Sequence, residues 1–138
     1  MERKFYLDTA IWRDYFEDRS DGLRPLGEFA FQFLKKCWMR NWIVLVSSEV
    51  EKELLAYYSR KQVNEIFSEF KDVIVNVCLF KEQVSEAIAF WVKKGKAFPF
   101  SDVLHSVIAR DCSTVLVCRD RHFWEINLVE CAFPEEID

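Results

Sequence analysis

Four acidic residues carry most of the chemical information in this 138-residue chain: Asp8, Glu53, Asp102 and Asp120. Asp8 directly follows the apolar run Phe5-Tyr6-Leu7, and Asp120 follows the run Thr114 to Cys118 after one intervening residue. Asp102 opens an apolar-striped segment, and Glu53 lies within two turns of the run Ile43 to Val46. Taken singly, each has an ordinary explanation. Asp8 and Asp102 fit helix caps, Asp120 between Arg119 and Arg121 fits a surface ion pair, and Glu53 beside Glu49 and Glu51 fits a solvated acidic face. Gathered at one rim they need another, because like charges in a crevice repel unless a cation sits among them. Hard oxygen donors suit Mg²⁺ or Mn²⁺. Magnesium keeps several waters and can bridge to a substrate phosphate, so such a site points to phosphate-ester chemistry.

Cations and aromatics near the acids divide between two readings. Lys93, Lys94 and Lys96 precede Phe98 and Phe100, a combination that would hold a single strand by phosphate attraction and base stacking. The same lysines at a helix C-terminus would complement its dipole, with the phenylalanines anchoring a loop. Lys96, Arg119 and Arg121 are candidate phosphate contacts. His105, one turn from Asp102 on an apolar helix, reads as a satisfied core residue, whereas His122, two residues beyond Asp120, is the better candidate for metal or phosphate.

The elements that must position these groups follow from the hydrophobic periodicity. Phe5-Tyr6-Leu7 reads as a strand, followed by a helix carrying Ile11, Trp12, Tyr15 and Phe16. A second helix begins after Pro25 and ends near Arg40-Asn41. Ile43 to Val46 has the continuous apolar character of a strand buried on both faces, and Ser47-Ser48 caps the helix bearing Glu49 and Glu53. A helix over about 61–70, a strand at Val73 to Val77 and a long helix ending at Gly95 come next. Ser101 is expected to cap the helix of Asp102, Thr114 to Cys118 to form a fourth strand, and Leu128 to Cys131 a final edge strand. Strands alternating with helices predict a three-layer α/β/α sandwich around a mostly parallel sheet of four to five strands. In such sheets the ligand crevice lies outside the carboxyl ends of the strands, where Asp8 and Asp120 stand.

Composition sets the limits. A hydrophobic fraction of 51%, with 13 Phe and 5 Trp, suffices for a core, and with only 3 Gly and 3 Pro no linker interrupts residues 1–138, which read as one domain. A net charge of −4 argues against nucleic-acid binding through a broad basic surface. No apolar run approaches a membrane span or a signal peptide, so a cytoplasmic location is expected. Cys37, Cys78, Cys112, Cys118 and Cys131 form no C-x-x-C pair and read as reduced thiols.

Four blocks resemble the PIN-domain family of small, VapC-like ribonucleases. Phe5-Tyr6-Leu7-Asp8-Thr9 is similar to the opening strand and Asp-Thr pair, and Val46 to Leu54 to the second block, with Glu53 as ligand and Glu49 as runner-up. Ser101 to Ala109 is similar to the third block and Val115 to Phe123 to the fourth, while Pro134-Glu135-Glu136 resembles the family's ending. The resemblance implies a metal-dependent endoribonuclease hydrolysing RNA phosphodiester bonds, with Asp8, Glu53, Asp102 and Asp120 at a Mg²⁺ or Mn²⁺ site. It also implies an antitoxin protein covering the cleft and homodimers, while the lysine and phenylalanine segment near Asp102 favours single-stranded RNA as the substrate. The chain departs from the family's usual polar residues at Ala10, Cys118 and His122. Two further readings therefore stand beside the nuclease: a PIN-like binding module without useful catalysis, and a metal-dependent phosphatase.

Overall fold

A computed structural model describes residues 2–138 of the chain. Strand β1 (Lys4–Leu7) lies at the centre of a five-stranded sheet. Beside it run β2 (Ile43–Ser47) and β3 (Ile74–Val77) on one side and β4 (Val115–Val117) and β5 (Cys131–Ala132) on the other, in the order β3-β2-β1-β4-β5, with every pairing parallel.

Helices α1 (Thr9–Glu17) and α2 (Leu26–Arg40) connect β1 to β2, and α3 (Ser48–Leu55) and α4 (Arg60–Ser68) connect β2 to β3. The chain then crosses back through α5 (Lys81–Lys93) and α6 (Phe100–Asp111) to β4, and α7 (His122–Ile126) leads to β5. Right-handed crossovers running in opposite directions along the sheet put α1 to α4 on one face and α5 to α7 on the other. This is the expected three-layer sandwich. The reversal of direction falls between β1 and β4, which opens a crevice beyond their carboxyl ends.

Alternation along β1 serves both layers. Phe5 packs edge-on against Phe33 of α2 at 5.0 Å between ring centroids and against Trp42 at 5.3 Å. Tyr6 points the other way, to His105 of α6. Helix α6 is buried from Val103 through Ala109, wedged between the sheet, α5 and α7, which is why its apolar stripe is so wide.

Strand β4 is shorter than the expected Thr114 to Cys118 and α4 ends at Ser68 rather than near 70, and three further boundaries differ for reasons that bear on the site. Helix α6 starts at Phe100 with Pro99 in the cap position, so Ser101 lies exposed inside the first turn and caps nothing. Proline preorganises the chain there instead. The last strand is only Cys131–Ala132, because Asn127 turns with φ of 55° and Leu128 and Val129 are spent in a bend before the Glu130 carbonyl accepts from the Leu116 N–H of β4 at 2.8 Å. Ser47 is the cap of α3, its Oγ accepting from the Val50 N–H at 3.2 Å, and Ser48 is the first helical residue. All five cysteines are free thiols, with Cys37 and Cys118 buried and Cys78 exposed. Among the described residues no helix is long and apolar enough to cross a membrane.

Candidate active site

The crevice between β1 and β4 is drawn together at its base by the Asp8 N–H, which donates to the Val117 carbonyl at 3.0 Å. Asp8 occupies the cap position of α1, yet its side chain makes no capping hydrogen bond. The carboxylate instead lines a cavity of about 470 Å³ together with Thr9, Arg13, Glu53, Tyr57 and Asp102. Burial pushes the Asp8 carboxyl up to about 6; His105 opposes the shift, and the charges of Asp102 and Glu53 add to it.

Glu53 is held from two sides. It accepts from the Thr9 hydroxyl at 2.6 Å, and His105 Nε2 lies 2.8 Å from its Oε2 and 3.0 Å from its Oε1. Burial alone would raise its pKa, but the bonds from His105 and Thr9 outweigh it and keep the carboxylate ionised below its ordinary range. His105 is 1% exposed. Burial would depress the imidazole, but the bond to Glu53 and the nearby charges of Glu53, Asp8 and Asp102 raise it.

Behind His105 the network continues into the sheet. The Tyr6 hydroxyl lies 2.6 Å from His105 Nδ1 and 2.7 Å from Ser47 Oγ. With a neutral imidazole, Tyr6 donates to Nδ1 and Nε2–H donates to Glu53. With an imidazolium, Nδ1–H donates to Tyr6, which donates in turn to Ser47. Both proton arrangements leave Tyr6 and His105 satisfied, and burial keeps the Tyr6 hydroxyl protonated well above its ordinary range.

Asp102, Asp120 and His122 make a second group beside the first. His122 Nδ1 lies 3.3 Å from Asp102 Oδ2 and 3.2 Å from Asp120 Oδ1, and the His122 N–H donates to Asp120 Oδ1 at 2.9 Å. Asp102 lies in the first turn of α6; burial raises its carboxyl pKa, with Asp120 adding and His122 opposing. Asp120 stands at the outer rim with a side chain 51% exposed.

The donor chemistry fits a small hard divalent cation. Ligand atoms of Asp8, Glu53 and His105 lie within 4.8 Å of one another, as do those of Asp102, Asp120 and His122. Both His105 nitrogens are already engaged, so the first group offers two carboxylates, the ligand type that suits Mg²⁺ or Mn²⁺. Burial is the main cause of the raised Asp8 pKa, and the charges of Asp102 and Glu53, which a cation would offset, add to it.

Other expected contacts are placed unevenly. Glu53 rather than Glu49 lines the cavity. Arg119 corrects the expectation of a phosphate contact: only 14% exposed, it donates to both oxygens of Glu135 at 2.7 and 3.0 Å and lies 3.7 Å from buried Asp14. Arg121 is exposed at the head of α7, and Lys96 extends over the Trp91 ring at 4.9 Å. The Phe98 carbonyl accepts from Trp91 Nε1 at 2.8 Å, and the Phe98 ring meets His122 at 6.1 Å, so this phenylalanine anchors its loop. Sequence reasoning missed Tyr6, Ser47, Arg13 and Tyr57. The four-residue spacings from Thr9 to Arg13 and from Glu53 to Tyr57 were the available signal.

No family model and no curated protein matches the sequence. Solved structures do match in three dimensions. The complex VapBC2 from Rickettsia felis, bound to a DNA fragment from its promoter, superposes with a TM-score of 0.71 at 16% identity, over 94% of this chain and 98% of that one. FitAcB from Neisseria gonorrhoeae gives a TM-score of 0.63 at 16% identity, covering 96% of this chain and 99% of that one. FitAB bound to the IR36 DNA fragment gives 0.62 at 15% identity, covering 97% of each chain. These are toxin–antitoxin complexes whose toxin components are PIN-domain proteins. The fold of this chain is the PIN-type α/β fold.

Proposed function

We propose that this chain is a Mg²⁺- or Mn²⁺-dependent endoribonuclease that hydrolyses RNA phosphodiester bonds at Asp8, Glu53, Asp102 and Asp120. One observation carries the reading: carboxylates from β1, α3, α6 and the β4–α7 turn converge on the crevice at the sheet's switch point, with Asp8 held up to about 6 by burial and by its acidic neighbours. Stability alone would select against that concentration of charge.

A bound divalent cation would neutralise phosphate charge and lower the pKa of a coordinated water. Asp8 and Asp102 are the residues assigned to hold it. Glu53, kept ionised and fixed in orientation by Thr9 and His105, orients the attacking water and accepts its proton. Asp120 and His122 close the outer rim, where the imidazole lies between two carboxylates and can meet an incoming phosphate. The solved neighbours are toxin–antitoxin complexes, so the reading extends to a toxin whose acidic crevice an antitoxin protein covers.

A short single-stranded RNA and p-nitrophenyl phosphate, each incubated with the protein and Mg²⁺ or Mn²⁺, provide the test. The RNA is expected to be cut internally and the monoester left intact. Chelation or Asp8→Asn should abolish cleavage. If neither metal raises the melting temperature or supports RNA cleavage, the nuclease reading fails and the non-catalytic module replaces it.

A further inference from the structure

On the wall of the cavity formed by α1 and the end of α3, Arg13 and Tyr57 form a stacked pair. The Arg13 guanidinium carbon lies 3.7 Å from the centroid of the Tyr57 ring. The guanidinium is oriented from behind: Nε lies 3.2 Å from Glu17 Oε2 and 3.3 Å from the Tyr58 hydroxyl, which itself donates to Glu17. Among the described residues no protein group accepts from the two terminal nitrogens of Arg13. Tyr57 is 60% exposed although it lines the same cavity as Asp8 and Glu53.

We propose that Arg13 and Tyr57 form a nucleotide subsite for a single-stranded RNA, taking the nucleotide next to the scissile phosphate; this rests on the nuclease reading. Three features select this ligand. The cavity wall is otherwise anionic, so a phosphodiester needs a cation there, and Arg13 is the cation that lines it. A planar guanidinium offers two adjacent N–H donors to phosphate oxygens, which an ammonium cannot match in geometry. An exposed aromatic ring beside it gives a base a stacking surface, and bases become available for stacking only when unpaired. Glu17 does not cancel the pair, because it engages the Nε edge and leaves the opposite edge for the ligand.

The stacked arrangement also follows from helical spacing. Arg13 lies one turn beyond Thr9, and Tyr57 one turn beyond Glu53, so the Thr9–Glu53 bond that fixes the acid also sets α1 against α3 at the distance the stack requires. The metal-proximal acid and the nucleotide contact thus come from α1 and from α3 with the turn that follows it, where Tyr57 lies two residues past Leu55.

The test measures binding of a 5′-labelled single-stranded RNA oligomer to the full chain by fluorescence anisotropy in Ca²⁺ buffer. In parallel, hydrolysis of that RNA and of bis(p-nitrophenyl) phosphate, a diester without a neighbouring base, is measured in Mn²⁺. Tyr57→Ala is expected to weaken RNA binding roughly tenfold, the size of one base stack, while Tyr57→Phe retains it. Arg13→Gln should weaken binding and reduce its salt dependence, whereas Arg13→Lys restores it in part. Equal binding by wild type, Tyr57→Ala and Arg13→Gln overturns the subsite, as does failure of the wild-type protein to bind the oligomer. Binding that responds to both residues, with neither substrate hydrolysed, leaves the subsite standing and sinks the nuclease reading instead.

Discussion

His105 Nε2 stands 2.8 Å from Glu53 Oε2, with the imidazole almost completely enclosed. A buried imidazole that spends one nitrogen on Tyr6 and the other on a crevice carboxylate is a positioning device. His105→Ala leaves the Tyr6 hydroxyl with Ser47 alone and Glu53 with Thr9 alone, and is expected to cost about 3 kcal/mol of folding stability in a urea titration. Tyr6→Phe removes one hydrogen bond and should cost about 1 kcal/mol. A loss in His105→Ala no larger than in Tyr6→Phe would show that Glu53 does not depend on the imidazole.

The two partners titrate in opposite senses, which defines a pH window. The lowered Glu53 pKa contributes stability above its ordinary 4.5 that is lost as pH falls through the folded value. The raised His105 pKa contributes stability fully present below 6.5 that is lost as pH rises through the folded value. The pair is therefore most stabilising from about pH 4.5 to 6.5. Subtracting the urea stabilities of Glu53→Gln from those of wild type at pH 4, 6 and 9 should give the largest difference at pH 6.

Asp8 acts in the other direction. Its pKa rises from 3.8 to about 6 on folding, so the metal-free fold loses stability as pH rises through that interval. Asp8→Asn should therefore be more stable than wild type in chelator at pH 8, by about 3 kcal/mol, with most of the advantage gone at pH 4. Equal stability at both pH values would show that the carboxylate is not strained by its surroundings.

Added Mn²⁺ should close most of that gap. Metal bound at a hundred times its dissociation constant stabilises by about 2.7 kcal/mol, read as a rise of several degrees in wild-type melting temperature. Asp8→Asn and Asp102→Asn should lose most of this rise, and it should shrink at pH 5, where Asp8 is largely protonated. A rise that survives both substitutions would place the ion elsewhere.

Glu49→Gln and Glu53→Gln separate two acids on one helix. Glu53→Gln should lower RNA cleavage at least about a hundredfold, the scale of a lost general base, whereas Glu49→Gln should stay within about twofold, since Glu53 lines the cavity. Arg119→Ala should lower stability by about 2 kcal/mol, through loss of its two bonds to Glu135 and the exposure of Asp14, while leaving the RNA dissociation constant unchanged.

The acid set and the elements beneath it were legible in the sequence for local reasons. Apolar runs ending at Asp8 and near Asp120, the helix after Ser47 and the period of α6 are nearest-neighbour patterns, and a parallel α/β topology brings strand ends to one rim. Pro99 displaced Ser101 from its expected cap because backbone preorganisation at that turn outweighed a hydroxyl's capping preference.

Tertiary structure decided which acid, cation and histidine face the crevice. Arg119 and Arg121 flank the same aspartate, yet one is locked to Glu135, sixteen positions along the chain, and the other is exposed. His105 reads from the sequence as a core residue, which its burial bears out, but its bonds to Tyr6 and Glu53 span 99 and 52 residues. Composition and periodicity report how a residue relates to its neighbours in the chain. A hydrogen bond such as His105 to Glu53 at 2.8 Å reports which distant side chains were brought together, and that is set by sheet order and helix packing. Asp8, Glu53, Asp102 and Asp120 were therefore visible as acids from the sequence, and only the fold divided them into Asp8 with Glu53 and Asp102 with Asp120.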